Sequence, residues 1–211
     1  MDLSKLRQEY SRTILDVDSI DGDPVDQFET WFKQAQSAEL VEPNAMSLAT
    51  IDSSGQPTQR TVLLKHFDHD GFVFFTNYTS RKASHIAENA RVSLLFQWLP
   101  LQRQIEISGI AEKAGDSISA EYFSKRPRGS QLGAWVSNQS KVIPNRKFLE
   151  DKLAELSERF TDQDIPLPEF WGGYRVCPDR FEFWQGGMDR LHDRIQYTRS
   201  DDAWKIERLS P

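Results

Sequence analysis

From residue 24 onward the spacing of apolar residues changes period several times, and each change marks an element. Val25, Phe28, Trp31, Phe32, Ala35 and Ala38 follow helical spacing, with Asp23 placed to cap the first turn and Pro24 at the first helical position. The period then falls to two. Residues 45 to 51 and 57 to 65 read as strands joined by the turn Asp52-Ser53-Ser54-Gly55, and Asp70-Gly71 punctuates a hairpin into residues 72 to 77. Ser80 can cap a helix running through Ala90, after which residues 91 to 98 and 101 to 114 alternate as paired strands turning at Pro100. Asp116 can start a helix that Pro127 must end near Arg126. Leu149, Leu153, Leu156 and Phe160, spaced four, three and four, form an amphipathic stripe, and three strands follow at 173 to 184, 190 to 199 and 203 to 209. Many short antiparallel strands with few helices predict a mainly β (α+β) fold, a barrel or sandwich with peripheral helices. Residues 1 to 23 are polar and weakly periodic, which predicts a mobile N-terminal arm with one helical turn near residues 3 to 11, ahead of a single domain over 24 to 211.

Charge sharpens this picture. The net charge is −6, but residues 1 to 30 hold eight acids against three bases, so the rest of the chain is close to neutral. A nucleic-acid surface, which wants a broad basic field, is not expected. The bases gather instead in short blocks at 60 to 65, 81 to 82, 126 to 128 and 190 to 194, which suits small phosphorylated ligands. No run approaches the length of a membrane helix, and the first residues lack a basic-then-apolar signal. With Cys177 alone, no intrachain disulfide can form, and the expected location is cytoplasmic. No zinc, Walker or Rossmann motif occurs, so no metal is expected.

Residues 181 to 194 concentrate chemistry: Phe181, Phe183 and Trp184, then Gly186-Gly187, then Arg190, His192 and Arg194. If 190 to 194 is extended, those three cations share one face, whereas a plain hairpin with a solvated basic face is the simpler alternative. Two anion sites can be argued. Arg60 from a strand and Arg81-Lys82 from a helix start would suit a phosphate, although surface charges account for them equally well in isolation. Tyr122 and Arg126, four apart, with Ser130 just beyond Pro127 and Lys65 ending an apolar strand, could hold a second phosphate or serve as a helix-end cap and a snorkelling lysine. His66, His69 and His85 lie in turn or helix contexts and read as solvated or hydrogen-bonded structural residues.

The run Glu182-Phe183-Trp184-Gln185, four residues, then Arg190-Leu191-His192-Asp193-Arg194 resembles the signature of the pyridoxine/pyridoxamine 5′-phosphate oxidase family. Residues 60 to 65, 80 to 82, 133 to 140 and 170 to 175 resemble it in the same order. The resemblance implies a split β-barrel of Greek-key-like antiparallel strands that binds flavin mononucleotide (FMN) and works as a homodimer with sites at the interface. It implies that Arg60, Thr61, Val62, Leu63, Leu64, Lys65, Phe75, Thr76, Arg81, Lys82, Gln104, Gln139, Ser140, Trp184 and Arg194 hold FMN. Lys65, Tyr122, Arg126, Ser130, Arg190, Leu191 and His192 would hold the vitamin B6 substrate, with Arg190 and His192 facing the reacting centre and Arg7 and Tyr10 closing over it.

The implied reaction is hydride transfer from C4′ of pyridoxamine or pyridoxine 5′-phosphate to flavin N5. Dioxygen then takes the electrons as hydrogen peroxide, and pyridoxal 5′-phosphate is released. Another split-barrel flavin oxidoreductase, or a non-catalytic carrier of FMN or pyridoxal phosphate, is the alternative. Residues 16 to 23 depart from the family, being acidic where several relatives are rich in Arg.

Overall fold

The computed structural model describes residue 10, residues 14 to 201 and residues 203 to 211. Arg7 and most of the expected turn at 3 to 11 lie outside the described residues. Helix α1 (Pro24–Ser37) begins as its cap predicts, with the Asp23 carboxylate accepting the Val25 N–H at 2.7 Å. Its inner face buries Val25, Phe28, Trp31 and Ala35. Phe28, fully enclosed, meets Phe67, Phe72 and Phe96 edge-on at 4.9 to 5.0 Å, the geometry that aromatic quadrupoles favour.

Nine strands form one antiparallel sheet: β1 (Ala45–Ile51), β2 (Pro57–Leu63), β3 (His66–Asp68), β4 (Gly71–Asn77), β5 (Arg91–Trp98), β6 (Arg103–Lys113), β7 (Trp171–Gln185), β8 (Asp193–Ser200) and β9 (Ala203–Leu209). The path runs β2-β1-β5-β6-β7-β4-β3, with β8 and then β9 branching from β7. β7 is the organising strand. One of its edges pairs with β6 along nearly the whole length, while the other pairs with β4 over 171 to 176 and with β8 over 180 to 185. The sheet therefore forks, and the curled half-barrel opens where β4 and β8 part. At the fork the β6 register shifts between Ser108 and Gly109, and a Cβ at Gly109 would stand 2.2 Å from the Cys177 carbonyl oxygen. Burial pushes the half-buried Cys177 thiol above its ordinary range, consistent with a structural residue.

Helices α2 (Arg81–Glu88), α3 (Asp116–Ser124), α4 (Arg128–Val136) and α5 (Arg146–Arg159) sit outside the sheet. The last three enclose a second core of Phe123, Leu132, Val136, Leu156 and Phe160 against Trp171. Among the described residues no helix is long and apolar enough to cross a membrane.

Four expectations need correction. Helix α4 and the short strand β3 have no counterpart in the sequence reading. Strand β8 starts at Asp193 rather than 190, because residues 188 to 191 make a tight left-handed turn that closes Leu191 N–H onto the Met188 carbonyl at 2.9 Å. Arg190, His192 and Arg194 therefore do not alternate along one strand face. Gly187 permits this fold-back, since a Cβ there would lie 2.1 Å from the Leu191 carbonyl oxygen. Finally, the arm does not extend to residue 23. Leu15 is buried in the main core with Val17 and Ile20 packed on it, its N–H donating to Asp193 at 3.0 Å and its carbonyl accepting from Arg208 at 2.8 Å. Three apolar side chains among the acids make residues 14 to 23 part of the barrel.

Candidate active site

A cavity of about 600 Å³ opens between β2, β4, α3, α4 and the loop at 137 to 139. Lys65, Lys82 and Arg126 line it, and among the described residues no carboxylate does. At one end lies the start of α2. Ser80 caps that helix, and Lys82 Nζ donates to Gln139 Oε1 at 2.7 Å, Thr76 Oγ1 at 3.1 Å and Ser80 Oγ at 3.3 Å. The Arg81 N–H donates to Ser140 Oγ at 3.2 Å, with Ser140 in the left-handed region at φ 71°. Arg60, on β2, donates to the Leu48 carbonyl at 3.0 Å, to Thr50 Oγ1 at 2.7 Å and to Thr58 Oγ1.

These three cations repel one another. Burial first, then Arg60 and Arg81, lowers the Lys82 ammonium from 10.5 to about 8, and burial together with Arg81 lowers Arg60. The arginines that do pair with acids among the described residues, Arg91, Arg146, Arg175, Arg180, Arg194 and Arg208, are elsewhere. Three uncompensated cations beside a helix N-terminus are the donor set that a phosphate dianion fits.

At the other end, Phe75 of β4, Tyr122 of α3 and Trp171 of β7 form a wall of near-parallel rings, with centroids 4.1 Å apart for Phe75–Tyr122 and 5.4 Å for Phe75–Trp171. The Arg126 guanidinium lies 4.6 Å over Trp171 and donates to the Ser130 carbonyl at 3.0 Å. Lys65 Nζ is 5.9 Å from the Tyr122 ring. Burial lowers the Arg126 pKa, so this charge too is held partly out of water without an acid. Gly133 lines the space between, where a Cβ would meet nothing within 4 Å.

Thr61, Val62, Leu63, Phe75, Thr76, Gln139 and Ser130 also border this cavity. Arg60, Arg81 and Ser140 lie beside its Lys82 end without lining it, and Leu64 is buried in the main core with its N–H on the Asn44 carbonyl. Leu64 follows the last residue of β2, and its side chain packs into the main core instead of the cavity. Trp171, Asn77, Gly133 and Ser137 border the cavity although no role was read for them. The only available signal was the resemblance of the 133 to 140 and 170 to 175 blocks.

The remaining residues form a separate cluster. Gln104 and Trp184 are cross-strand partners on β6 and β7. Trp184 lies 4.7 Å from the His192 ring, and Tyr10 meets both edge-on at 5.8 and 5.6 Å while resting against Gly186. The Gly187 N–H donates to His192 Nδ1 at 3.1 Å, which leaves Nε2 to carry the ring proton. Burial and then Arg190 lower the His192 pKa, favouring the neutral ring.

Asp189 and Arg190 are successive non-glycine residues in the left-handed region, at φ 53° and 66°, a strained conformation of the kind that clusters at functional sites. Leu191 is exposed beside them. Arg194 carries a bidentate pair with Glu182 at 2.8 and 3.0 Å and donates to the Ser210 carbonyl at 2.9 Å. Glu182 raises its pKa, so this guanidinium is already charge-compensated.

None of these side chains lines the cavity. Phe75 pairs with Gly173 while Trp184 is eleven residues further along β7, about 35 Å of strand at roughly 3.3 Å per residue.

The family description "Pyridoxamine 5′-phosphate oxidase" matches residues 32–160, and "Pyridoxine 5′-phosphate oxidase C-terminal dimerisation region" matches residues 171–211. The chain is 58% identical over 212 residues to the pyridoxine/pyridoxamine 5′-phosphate oxidase of Rippkaea orientalis and 59% identical over 214 residues to that of Crocosphaera subtropica, each covering 100% of both chains. Among solved structures it resembles PhzG from Burkholderia lata in complex with tetrahydrophenazine-1-carboxylic acid, with TM-score 0.90, 30% identity and coverage of 97% of this chain and 100% of that one. An FMN-binding protein from Nostoc punctiforme, related to pyridoxamine 5′-phosphate oxidase, shares the fold at TM-score 0.70 and 17% identity, covering 91% and 100%. Matched over residues 32–160 and 171–211, and more than half identical to full-length relatives, the chain belongs to the pyridoxine/pyridoxamine 5′-phosphate oxidase family.

Proposed function

We infer that this chain oxidises pyridoxamine and pyridoxine 5′-phosphates to pyridoxal 5′-phosphate with FMN as cofactor and dioxygen as electron acceptor. The observation that carries the reading is the acid-free cavity with cations at both ends, matched to a phosphorylated substrate meeting a phosphorylated cofactor. FMN, when bound, would supply the redox chemistry: acceptance of the hydride lost from C4′ and return of the electrons to dioxygen as hydrogen peroxide. Everything else is positioning by the protein.

Arg60, Arg81, Lys82 and Ser140 would take the FMN phosphate, with Gln139 and Thr76 fixing the Lys82 ammonium. Lys65, Tyr122, Arg126 and Ser130 would take the substrate phosphate. An enzyme for an unphosphorylated aromatic acid would have no use for that second set.

Arg190, His192, Trp184, Gln104 and Arg194 would complete the site from the second subunit. Two observations support this: the run of β7 that separates them from the cavity, and the match to the family's dimerisation region. His192 would offer its Nε2–H to the substrate's 3′-oxygen or C4′ amine, and Arg190 would orient C4′. Arg194, already compensated by Glu182, would give its remaining N–H groups to the polar edge of the flavin rather than a full unpaired charge. Tyr10 and Arg7 would close over the ring. With the amine the product imine hydrolyses to aldehyde and ammonia; with the alcohol the aldehyde forms directly. A cytoplasmic location belongs to the same proposal.

The test is an absorbance spectrum of the FMN-loaded protein before and after anaerobic pyridoxamine 5′-phosphate. Bleaching of the flavin band that reverses with air is expected, whereas a band that stays unchanged would overturn the substrate assignment.

A further inference from the structure

His85 is buried in α2, one turn beyond Arg81, and takes no part in the chemistry above. Its Nδ1 lies 3.2 Å from Thr50 Oγ1 on β1. Thr50 is fully buried and stands opposite Thr58 of β2, their hydroxyls 3.3 Å apart. Arg60 donates to both, at 2.7 Å to Thr50 and in a short bond to Thr58. The hydrogens in this group can be counted. Each hydroxyl has one proton to give and two lone pairs. Arg60 fills an acceptor position on each, Thr58 gives its proton to Thr50, and the Thr50 proton then has one remaining acceptor, His85 Nδ1. With His85 Nδ1 as the final acceptor, the circuit Arg60 to Thr58 to Thr50 to His85 satisfies both hydroxyl protons within the group.

We propose that His85 is a positioning residue for cofactor retention: by accepting the Thr50 hydroxyl proton it locks the lone pairs that hold Arg60, and so ties α2, which carries Arg81 and Lys82, to the hairpin that carries Arg60. With an apolar residue at 85, the Thr50 proton must turn onto Thr58, whose own proton then loses its partner in the circuit, and the guanidinium is held by a conflicted pair. The inference rests on the reading that Arg60 belongs to the FMN phosphate site.

The test is the FMN dissociation constant, from quenching of free FMN fluorescence by apoprotein. Arg60→Ala must weaken binding, and no effect would overturn the site reading and this inference with it. If Arg60→Ala does weaken it, His85→Leu is expected to weaken FMN roughly five- to tenfold, as the loss of one buried hydrogen bond does. Thr50→Val should do the same, and the double variant no worse than the stronger single, because both break one circuit. His85→Asn, whose Oδ1 can stand where Nδ1 stood, should recover binding to within about threefold on the same counting. Unchanged affinity in His85→Leu and Thr50→Val, additive losses, or an Asn variant as weak as Leu would each overturn the proposal while leaving the phosphate site standing. Thr50→Val keeps the side-chain volume, so the test survives if His85→Leu fails to fold.

Discussion

Lys82 supplies the sharpest quantitative consequence of the cavity's charge. Its ammonium sits partly buried between Arg60 and Arg81, which together with desolvation lowers it from 10.5 to about 8. Keeping it charged at neutral pH therefore costs the ligand-free protein on the order of 1 to 2 kcal/mol once solvent screening at this partly exposed group is allowed for. The sign follows from linkage: the native state releases this proton before the unfolded state does, so the cost is fully present below pH 8 and is relieved as pH rises from about 8 towards 10.5. A phosphate dianion beside Nζ reverses the balance by favouring the charged form.

FMN binding must then take up a proton above pH 8, and its apparent dissociation constant should rise about tenfold per pH unit there, or roughly thirtyfold between pH 7 and 9.5. Titrating apoprotein into FMN and following fluorescence quenching measures this directly. Lys82→Met should bind FMN weakly with a nearly flat profile over the same range, and the difference between the two profiles isolates Lys82 from other titrating groups. A wild-type constant that stays within about twofold from pH 7 to 9.5 would refute the argument that Lys82 is held down and contacts the phosphate.

Arg190→Ala should lower kcat/KM by about two orders of magnitude or more while FMN affinity, measured by the same quenching assay, is unchanged. If Arg190 serves the cavity of the other subunit, mixing Lys65→Ala and Arg190→Ala proteins through reversible unfolding should recover about a quarter of wild-type activity, since half the symmetric dimers are mixed and each has one intact site. Sites built within one chain would recover none. Gly109→Ala should destabilise the fold by more than about 2 kcal/mol in urea denaturation, because its Cβ would press on the Cys177 carbonyl at the bulge.

The sheet was legible wherever one face of a strand meets the core. Residues 45 to 51 and 91 to 98 alternate in burial along the structure as they alternate in sequence. Helix α1 was legible because its cap, its proline and its stripe agree. Helix α4 was not, since Gly129 and Gly133 interrupt a nine-residue element whose stability comes from packing on α5 and Trp171. The stripe of α5 held only in part: Leu156 and Phe160 are buried, but Leu153 is 40% exposed.

For the site, the charges at 60 and 81 to 82 read as well as surface charges in isolation, and only the family resemblance gave them a phosphate. The aromatic wall is assembled from three elements far apart in the chain, and no local pattern can announce it. The left-handed turn at Asp189 and Arg190 was hidden for a related reason: alternation of cations at 190, 192 and 194 imitates a strand, and only the Gly187 fold-back reveals that the chain has not yet entered one.

The forked strand β7 connects these observations. A strand that shares one edge between β4 and β8 must present its two halves to different surroundings. Its first half, with Trp171, closes the cavity that Lys65, Lys82 and Arg126 line; its second half, with Trp184, carries the turn that displays Arg190 and His192. A straight strand cannot fold these ends together, and lengthening the loops would not help, because the separation is fixed by paired backbone. In the proposed dimer a second copy related by a two-fold axis would bring one copy's far half to the other's near half, and would do so twice. Dimerisation would then be part of building the site, so weakening the subunit contact in residues 171–211 should lower activity more steeply than it lowers the stability of the barrel.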